Sequence, residues 1–323
     1  MKKARCLYFI GIFIMLQGCA IDKSKEYLLK GDEQLEMKNY EYAINNYDKA
    51  IEINPKNDAA YFKRGKAFLY QAQPLKSIDD FSNAIKINDK KDIYYVFRGW
   101  GWFSIDRSYI EKAIEDVSKA LTINTKCVEA YYLKANISLA QGDYISVINI
   151  CNKAIEIDPQ FVMELGTGKW SIYKLRGRGY HNTGQYDNAL SDYNKGLEYV
   201  PQDEEALTLI GQIFESYKRD QNKAVEYYSK AIAINPRYAT AYQMRGYAYI
   251  LSYKYQDAIN DFTMAINILP NSANAYSANA YYGRAIVYIR MKDYSQAVSD
   301  LQQAARLGSK EAQQDLIKTG ISW

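Results

Sequence analysis

A chain of 323 residues with 41 basic side chains, 37 acidic ones and a single histidine carries a formal charge of only +4, which leaves no electrostatic footprint for nucleic acid. With 48% hydrophobic and 24% charged residues and six prolines, it is neither disordered nor collagen-like, so a folded, water-soluble body is expected, with an unusual load of 32 tyrosines. The lone His181 excludes a two-histidine metal centre, and no phosphate loop, paired-histidine motif or nucleophile elbow is present, so no metal, cofactor or catalytic residue is expected.

The chain opens with Lys2, Lys3 and Arg5, continues through an apolar run from Cys6 to Leu16, and reaches Gln17-Gly18 before Cys19. That order reads as a secretory signal. The run is too short to cross a bilayer, which takes roughly 17 to 25 residues. Leu16-Gln17-Gly18-Cys19 resembles the lipobox of bacterial lipoproteins, in which a small residue precedes the cysteine whose thiol takes a lipid such as palmitate. The resemblance implies a signal peptide over 1–18, a lipidated Cys19 with a short tether over 19–23, and an exported protein anchored to a membrane by its N-terminal lipid. Signal cleavage without lipidation is the alternative. Because Ala20 rather than Asp follows the cysteine, the family's sorting rule points to the outer membrane, facing the periplasm, in a bacterium with two membranes. In one with a single membrane the protein would sit on the outer surface. The stretch from Ala20 to Ser24 reaches about 15 to 20 Å when extended, so the folded part stays near its membrane. Losing the leader also removes three basic residues and leaves the remainder close to neutral.

From Ser24 onward the chain repeats itself. Gly31, Ala43, Tyr47, Ala50 and Pro55 return 34 residues later as Gly65, Ser77, Phe81 and Ala84, with Asp89 at the proline's place. The frame recurs as Ala135, Val147, Cys151, Ala154 and Pro159, then as Gly177, Ala189, Tyr193, Gly196 and Pro201, and again as Gly246, Ala258, Phe262, Ala265 and Pro270. Less regular copies carry Gly99 with Ala113 and Ala120, Gly211 with Ala224, Tyr228, Ala231 and Pro236, and Ala285 with Ala297, Leu301 and Ala304. Two antiparallel helices approach closely only where small side chains occupy the crossing, while aromatics fill the space between pairs. Proline after Asn54, Asp158 or Asn235 ends each pair, because it lacks the donor a continuing helix needs.

These landmarks together resemble the tetratricopeptide repeat family over residues 24–307. The resemblance implies an all-α fold, an α-α superhelix (solenoid) of about eight helical hairpins, with residues 308–323 as a capping helix from Lys310 to Lys318 stopped at Gly320. One amphipathic helix bundle is the alternative, and the joint return of small, aromatic and proline positions argues against it. The frame is broken by two extra residues near Ile105 to Tyr109, one near Asp220, and eight at 162–169, where Gly166-Thr167-Gly168 predicts a loop or a broken helix start. The tandem Ser272–Tyr276 and Ser277–Tyr281 predicts a lengthened first helix in the last repeat.

In that family the first helices line a concave binding surface. Carried over residue by residue, the lining includes Phe62 and Tyr70 with Lys66 in the second copy, Trp100 and Phe103 in the third, and Tyr132 and Asn136 in the fourth. Lys174 and Arg178 follow in the fifth, Tyr247 in the seventh and Tyr282 in the eighth. No pair of repeats presents the Lys and Asn set with which chaperone-binding members clamp a C-terminal carboxylate. An aromatic groove with a few cations suits an extended peptide or a partner helix, which implies a non-enzymatic scaffold for protein partners at the cell envelope. Each ring has an alternative role packing between repeats. Because tyrosine and tryptophan also stack on sugars, a glycan-binding or enzymatic envelope protein using the same groove is the second function class. Self-association through an end repeat stays open, since uncapped ends of such arrays are apolar. The many carboxylates read as solvated helix faces, and Cys127 and Cys151 as two separately packed thiols rather than a disulfide.

Overall fold

The computed structural model describes residues 23–166, 168–269 and 275–323. The expected signal segment, Cys19 and most of the tether lie outside the described residues. Two compact units meet at Thr183 and Gly184. The first holds α1 (residues 23–36), α2 (Tyr40–Ile53), α3 (Asp58–Tyr70), α4 (Pro74–Ile87), α5 (Asp92–Phe103), α6 (Ile110–Ile123), α7 (Val128–Gln141), α8 (Tyr144–Ile157), strands β1 (Val162–Leu165) and β2 (Gly168–Ser171), and α9 (Ile172–Asn182). The second holds α10 (Tyr186–Tyr199), α11 (Glu204–Ser216), α12 (Gln221–Ile234), α13 (Ala239–Leu251), α14 (Tyr255–Ile268), α15 (Ala275–Arg290), α16 (Tyr294–Arg306) and α17 (Lys310–Thr319). Within each unit consecutive helices form antiparallel hairpins, and the first helices of successive hairpins also pack on one another, α3 on α5 on α7 and α11 on α13 on α15. This is the all-α solenoid packing that the repeat implied, with one β-hairpin added. No described helix is long and apolar enough to cross a membrane.

Local chemistry sets the hairpin ends. Side chains of Asn57, Asp143, Asp203, Asp220, Asp293 and Ser309 each accept from a backbone N–H three residues on, satisfying a donor that the first helical turn leaves over. At the other end Asn88, Asn124 and Asn235 donate through Nδ2 to Asp58, Asp92 and Glu204, the acidic residues that begin the first helix of the same hairpin. The same asparagines accept from the backbone two residues on, so one side chain closes the turn and ties the hairpin's two ends together.

The core follows the small-and-aromatic spacing. Tyr47, Phe81, Tyr193, Tyr228 and Phe262 are all fully buried. A Cβ placed on Gly31 would lie 2.3 Å from the Tyr47 ring, one on Gly65 2.7 Å from Phe81, and one on Gly211 2.5 Å from Tyr228. Each ring therefore rests on bare backbone, which is why the glycine must stand sixteen or seventeen residues before it. In the last unit Ala285, Leu301 and Ala304 pack against Ala312 and Leu316 of α17, and α17 ends on Gly320 at φ 73° with its N–H on the Ile317 carbonyl.

The carboxylates correct one expectation. Asp80, Asp116, Asp261 and Asp300 are not solvated but 3 to 5% exposed. Each accepts two hydrogen bonds from one arginine on the preceding helix: Arg64 at 2.8 and 2.7 Å, Arg98 at 3.0 and 2.7 Å, Arg245 at 2.8 and 2.8 Å, and Arg284 at 2.7 and 2.9 Å. The remaining nitrogen reaches back to the hairpin before, to Asp48, Ser82, Ser229 or Thr263. One guanidinium thus joins three helices, and its planar geometry matches a carboxylate as lysine could not.

The insertion at 162–169 is neither a plain loop nor a broken helix start. It forms an antiparallel hairpin in which Val162 pairs with Ser171, Met163 with Trp170, Glu164 with Lys169 and Leu165 with Gly168. Met163 is buried and Gly166 takes φ 61°, a left-handed conformation that favours glycine. The extra residues near Tyr109 form a short 3-10 turn, Arg107–Tyr109, capped by Asp106. Helix α15 has 16 residues against 13 in α11 and α13, the lengthening that the tandem duplication predicts.

Candidate partner-binding site

Helix α3 places Phe62, Lys66 and Tyr70 four residues apart, on one face. Phe62 is half-buried, its ring 4.7 Å from Tyr94, 5.3 Å from Phe97 and 5.7 Å from Phe81. Lys66 Nζ lies over three rings, 5.1 Å from Phe97, 5.7 Å from Tyr70 and 6.0 Å from Phe62. Burial first, and the neighbouring Lys63 second, lower its pKa from the usual lysine value.

On α5 the Trp100 ring is 5.8 Å from Phe103 and 6.1 Å from Tyr132 of α7, and Tyr132 lies 5.9 Å from Phe161 at the base of the β-hairpin. Asn136 is half-buried and donates to the Tyr132 carbonyl. Six of the expected lining residues, Phe62, Tyr70, Trp100, Phe103, Tyr132 and Asn136, therefore fall on α3, α5 and α7, the first helices of three successive hairpins. Lys174 and Arg178 stand on α9 of the same unit, Lys174 almost wholly buried and Arg178 half-buried. Tyr132 too is 5% exposed.

The two tyrosines of the second unit serve packing. Tyr247 meets Phe262 edge-on at 5.1 Å and donates to the Asn279 carbonyl at 3.2 Å, and burial pushes its hydroxyl up to about 12. Tyr282 donates to Asp315 of α17 at 3.1 Å, which ties the closing helix to its neighbour.

Sequence reasoning missed what the β-hairpin does here. Its tip arrives at the end of α3, where the backbone of Gly166 hydrogen-bonds the Tyr70 hydroxyl, which burial pushes up to about 12. On one side of the tip a cavity of about 290 Å³ is lined by Tyr40, Leu69, Tyr70, Trp100, Ser104, Leu165 and Gly166. On the other, a more polar cavity of about 320 Å³ includes Glu36, Lys38, Lys66, Glu164 and Lys169. The hydroxyl of Tyr40 and Nε1 of Trp100 are buried without a hydrogen-bond partner among the described residues. No group of three or more His, Cys, Asp or Glu side chains among the described residues is placed to hold a metal ion. Burial lowers the pKa of His181 and pushes the Cys127 thiol up to about 12, so that thiol is a packed one rather than a nucleophile.

Comparison with known proteins agrees with this architecture. The sequence profile described as "TPR repeat" matches residues 31–71, and two described as "Tetratricopeptide repeat" match 128–161 with 278–308 and 175–239. The chain is 24% identical over 318 residues to the DnaJ protein P58IPK homolog of Arabidopsis thaliana, covering 90% of this chain and 63% of that protein. It is 28% identical over 140 residues to the general transcriptional corepressor trfA of Dictyostelium discoideum, covering 43% of this chain and 10% of that one. Among solved structures, the APC/C hetero-tetramer Cut9-Hcn1 contains a chain that superposes with a TM-score of 0.67 at 17% identity, over 88% of this chain and 53% of its own length. At that identity the likeness is one of fold. In each case this chain spans less than two thirds of the relative's length.

Proposed function

Because the chain belongs to the tetratricopeptide repeat family, we propose that it is a non-enzymatic scaffold that holds partner proteins or peptides over α3, α5 and α7, tethered to a bacterial envelope membrane by lipid on Cys19. The observation that carries the partner-binding reading is the cluster of Phe62, Tyr70, Trp100, Phe103 and Tyr132 on three consecutive first helices, with Lys66 among the rings. Large, rigid aromatic surface with a nearby cation is what anchors protein recognition at small entropic cost. The anchor reading rests on Leu16-Gln17-Gly18-Cys19, and Ala20 favours the outer membrane's periplasmic face.

Cross-linking in the native cell, with a photoreactive group at Phe103, identifies the captured proteins. Trp100→Ala combined with Tyr70→Ala, two rings that are only half-buried, is expected to reduce that capture by at least about tenfold, with the helical circular dichroism retained. Undiminished capture by the folded double variant would refute the site. Independently, Cys19→Ser is expected to move the protein from the membrane to the soluble fraction. Continued membrane association of that variant would remove the lipid anchor and leave the groove reading standing.

A further inference from the structure

Three helix-to-helix turns of the second unit lie side by side. Helices α11, α13 and α15 begin successive antiparallel hairpins and pack on one another, α11 on α13 and α13 on α15. They therefore run in one direction, and their C-terminal ends, each leading into a tight turn, form a row. Every turn in it sets a large apolar side chain beside a cation. Tyr217, Leu251, Tyr253, Met291 and Tyr294 are 46 to 76% exposed, and Lys218, Arg219, Lys254, Arg290 and Lys292 next to them are exposed as well.

The acids nearby are short and mostly occupied. Asp220 and Asp293 accept from the backbone N–H of Lys223 and Gln296 in the helices they start, and Asp187 takes Lys218 at 2.6 Å, which leaves Asp257 in the first turn of α14. The other four cations of the row make no ion pair among the described residues. Because a lysine or arginine stem reaches further than an aspartate held against the backbone, the outermost layer of the row is cationic and aromatic.

Backbone geometry is the second observation. Arg219, Tyr253 and Lys292 take φ of 53°, 59° and 64°, the left-handed region in which a side chain is strained and glycine is not. The turn after α7 places Gly142 there, at φ 78°. In the second unit three long side chains stand, one per turn, where glycine would fit at less cost. Two turns of the first unit, Gln71-Ala72-Gln73 and Gln141-Gly142-Asp143, carry neither a cation nor a large apolar side chain, so the hairpin itself does not require this chemistry.

We propose that this row rests on a lipid bilayer bearing anionic phospholipid, with Tyr253, Met291 and Tyr294 entering the headgroup layer and Arg219, Lys254 and Lys292 meeting phosphates. Tyrosine suits that boundary because its body is apolar and its tip polar, and basic side chains beside it are drawn to an anionic surface. Hairpin tips project rather than enclose, and a protein partner's anchoring side chain needs a pocket around it, whereas a fluid surface needs none. The proposal stands on the second unit alone and does not require lipid on Cys19.

The test places the full chain on vesicles containing a photoreactive phosphatidylglycerol and maps the cross-linked residues by mass spectrometry. Adducts are expected at the three turns. Those at residues 1–22 report the N-terminal anchor separately, so failure of one reading is distinguished from failure of the other. Arg219→Gln with Lys254→Gln and Lys292→Gln is expected to lower the yield at the turns by at least about tenfold. Tyr253→Gly is expected to lower it by about threefold while melting no lower than the parent, since glycine adopts the left-handed conformation freely. No adducts at the turns, an equal yield from a photoreactive phosphatidylcholine, or a yield indifferent to the charge variant or to Tyr253→Gly would overturn the proposal.

Discussion

Replacing Asp261 with alanine is expected to destabilise the second unit by about 3 to 5 kcal/mol, among the largest losses any single side chain outside the aromatic core can produce. Asp261 is 5% exposed and accepts from Arg245 Nε and Nη2, both at 2.8 Å. Burial raises its pKa from the usual carboxylate value and the guanidinium works against that rise. Removing the carboxylate leaves Arg245, whose side chain is only 18% exposed, with Ser229 Oγ at 2.9 Å as its remaining hydrogen-bond partner and the rings of Tyr242 and Tyr249 at 5.7 and 5.8 Å, but with no counter-charge. The loss therefore comes chiefly from an uncompensated buried charge, not from the attraction forgone. That account makes a second, opposite prediction: Arg245→Met with Asp261→Leu, which removes both charges and keeps apolar volume, should recover most of the stability. Urea unfolding followed by circular dichroism at 222 nm compares the three proteins. A double variant as unstable as the single one would show that the ion pair itself, rather than its completeness, stabilises the repeat. Hydrogen exchange should place the weakened amides in α13 and α14 first, because in a repeat stack each hairpin answers mainly to its neighbours.

The repeated arrangement of Arg64, Arg98, Arg245 and Arg284 was written in the sequence, but in a form that residue-type reasoning passes over. Each of these arginines directly precedes the small crossing residue, at Gly65, Gly99, Gly246 and Ala285, and each buried aspartate directly precedes the large core residue, at Phe81, Val117, Phe262 and Leu301. A charge one position from a core landmark lies at the edge of the packed face, and the 16-residue interval from Arg64 to Asp80 equals that from Gly65 to Phe81. The glycine-to-ring spacing was legible because the contact is confined to one hairpin and requires a missing side chain. A single helix, taken alone, presents these aspartates among polar neighbours, such as Asp79 and Ser82 at Asp80, Glu115 and Lys119 at Asp116, or Asn260 and Thr263 at Asp261, so each reads as solvated. Only the adjoining hairpin buries them.

The β-hairpin marks the other limit. Val162-Met163-Glu164-Leu165 and Gly168-Lys169-Trp170-Ser171 flank the dipeptide Gly166-Thr167, and a two-residue turn beginning with glycine between short runs is a hairpin signal in its own right. Its glycines were legible as a break in the helices. Its landing place was not, because Tyr70 and Gly166 are nearly a hundred residues apart and nothing in either segment names the other. The same holds for the site: Phe62, Trp100 and Tyr132 were found through the repeat frame, whereas Tyr40 lies on a second helix, outside the set that the frame directs attention to, and enters only because the hairpin encloses it with Trp100.

The aromatic interlock yields the second large effect. Phe262 is fully buried between two helices that both present bare backbone to it: a Cβ on Gly246 would stand 3.0 Å from its Cζ, and one on Gly283 2.5 Å from its Cε1. Phe262→Ala is therefore expected to cost about 3 to 5 kcal/mol, as the ring's burial is lost and the two glycine faces cannot collapse far enough to fill its space. Gly283→Ala approaches the same contact from the other side and should cost about 1 to 3 kcal/mol by overpacking, despite alanine's better helix propensity. Because both substitutions act on one volume, their effects should not add. Gly283→Ala with Phe262→Leu, which trades a methyl on one helix for a smaller side chain on the other, is expected to be more stable by at least about 0.5 kcal/mol than the summed losses of Gly283→Ala and Phe262→Leu taken singly. Urea midpoints of the four proteins in a double-mutant cycle measure that difference directly. Additive losses would mean that Gly283 tolerates a methyl by backbone movement, and that the spacing between glycine and ring reflects helix geometry alone rather than the direct contact through which successive hairpins recognise each other.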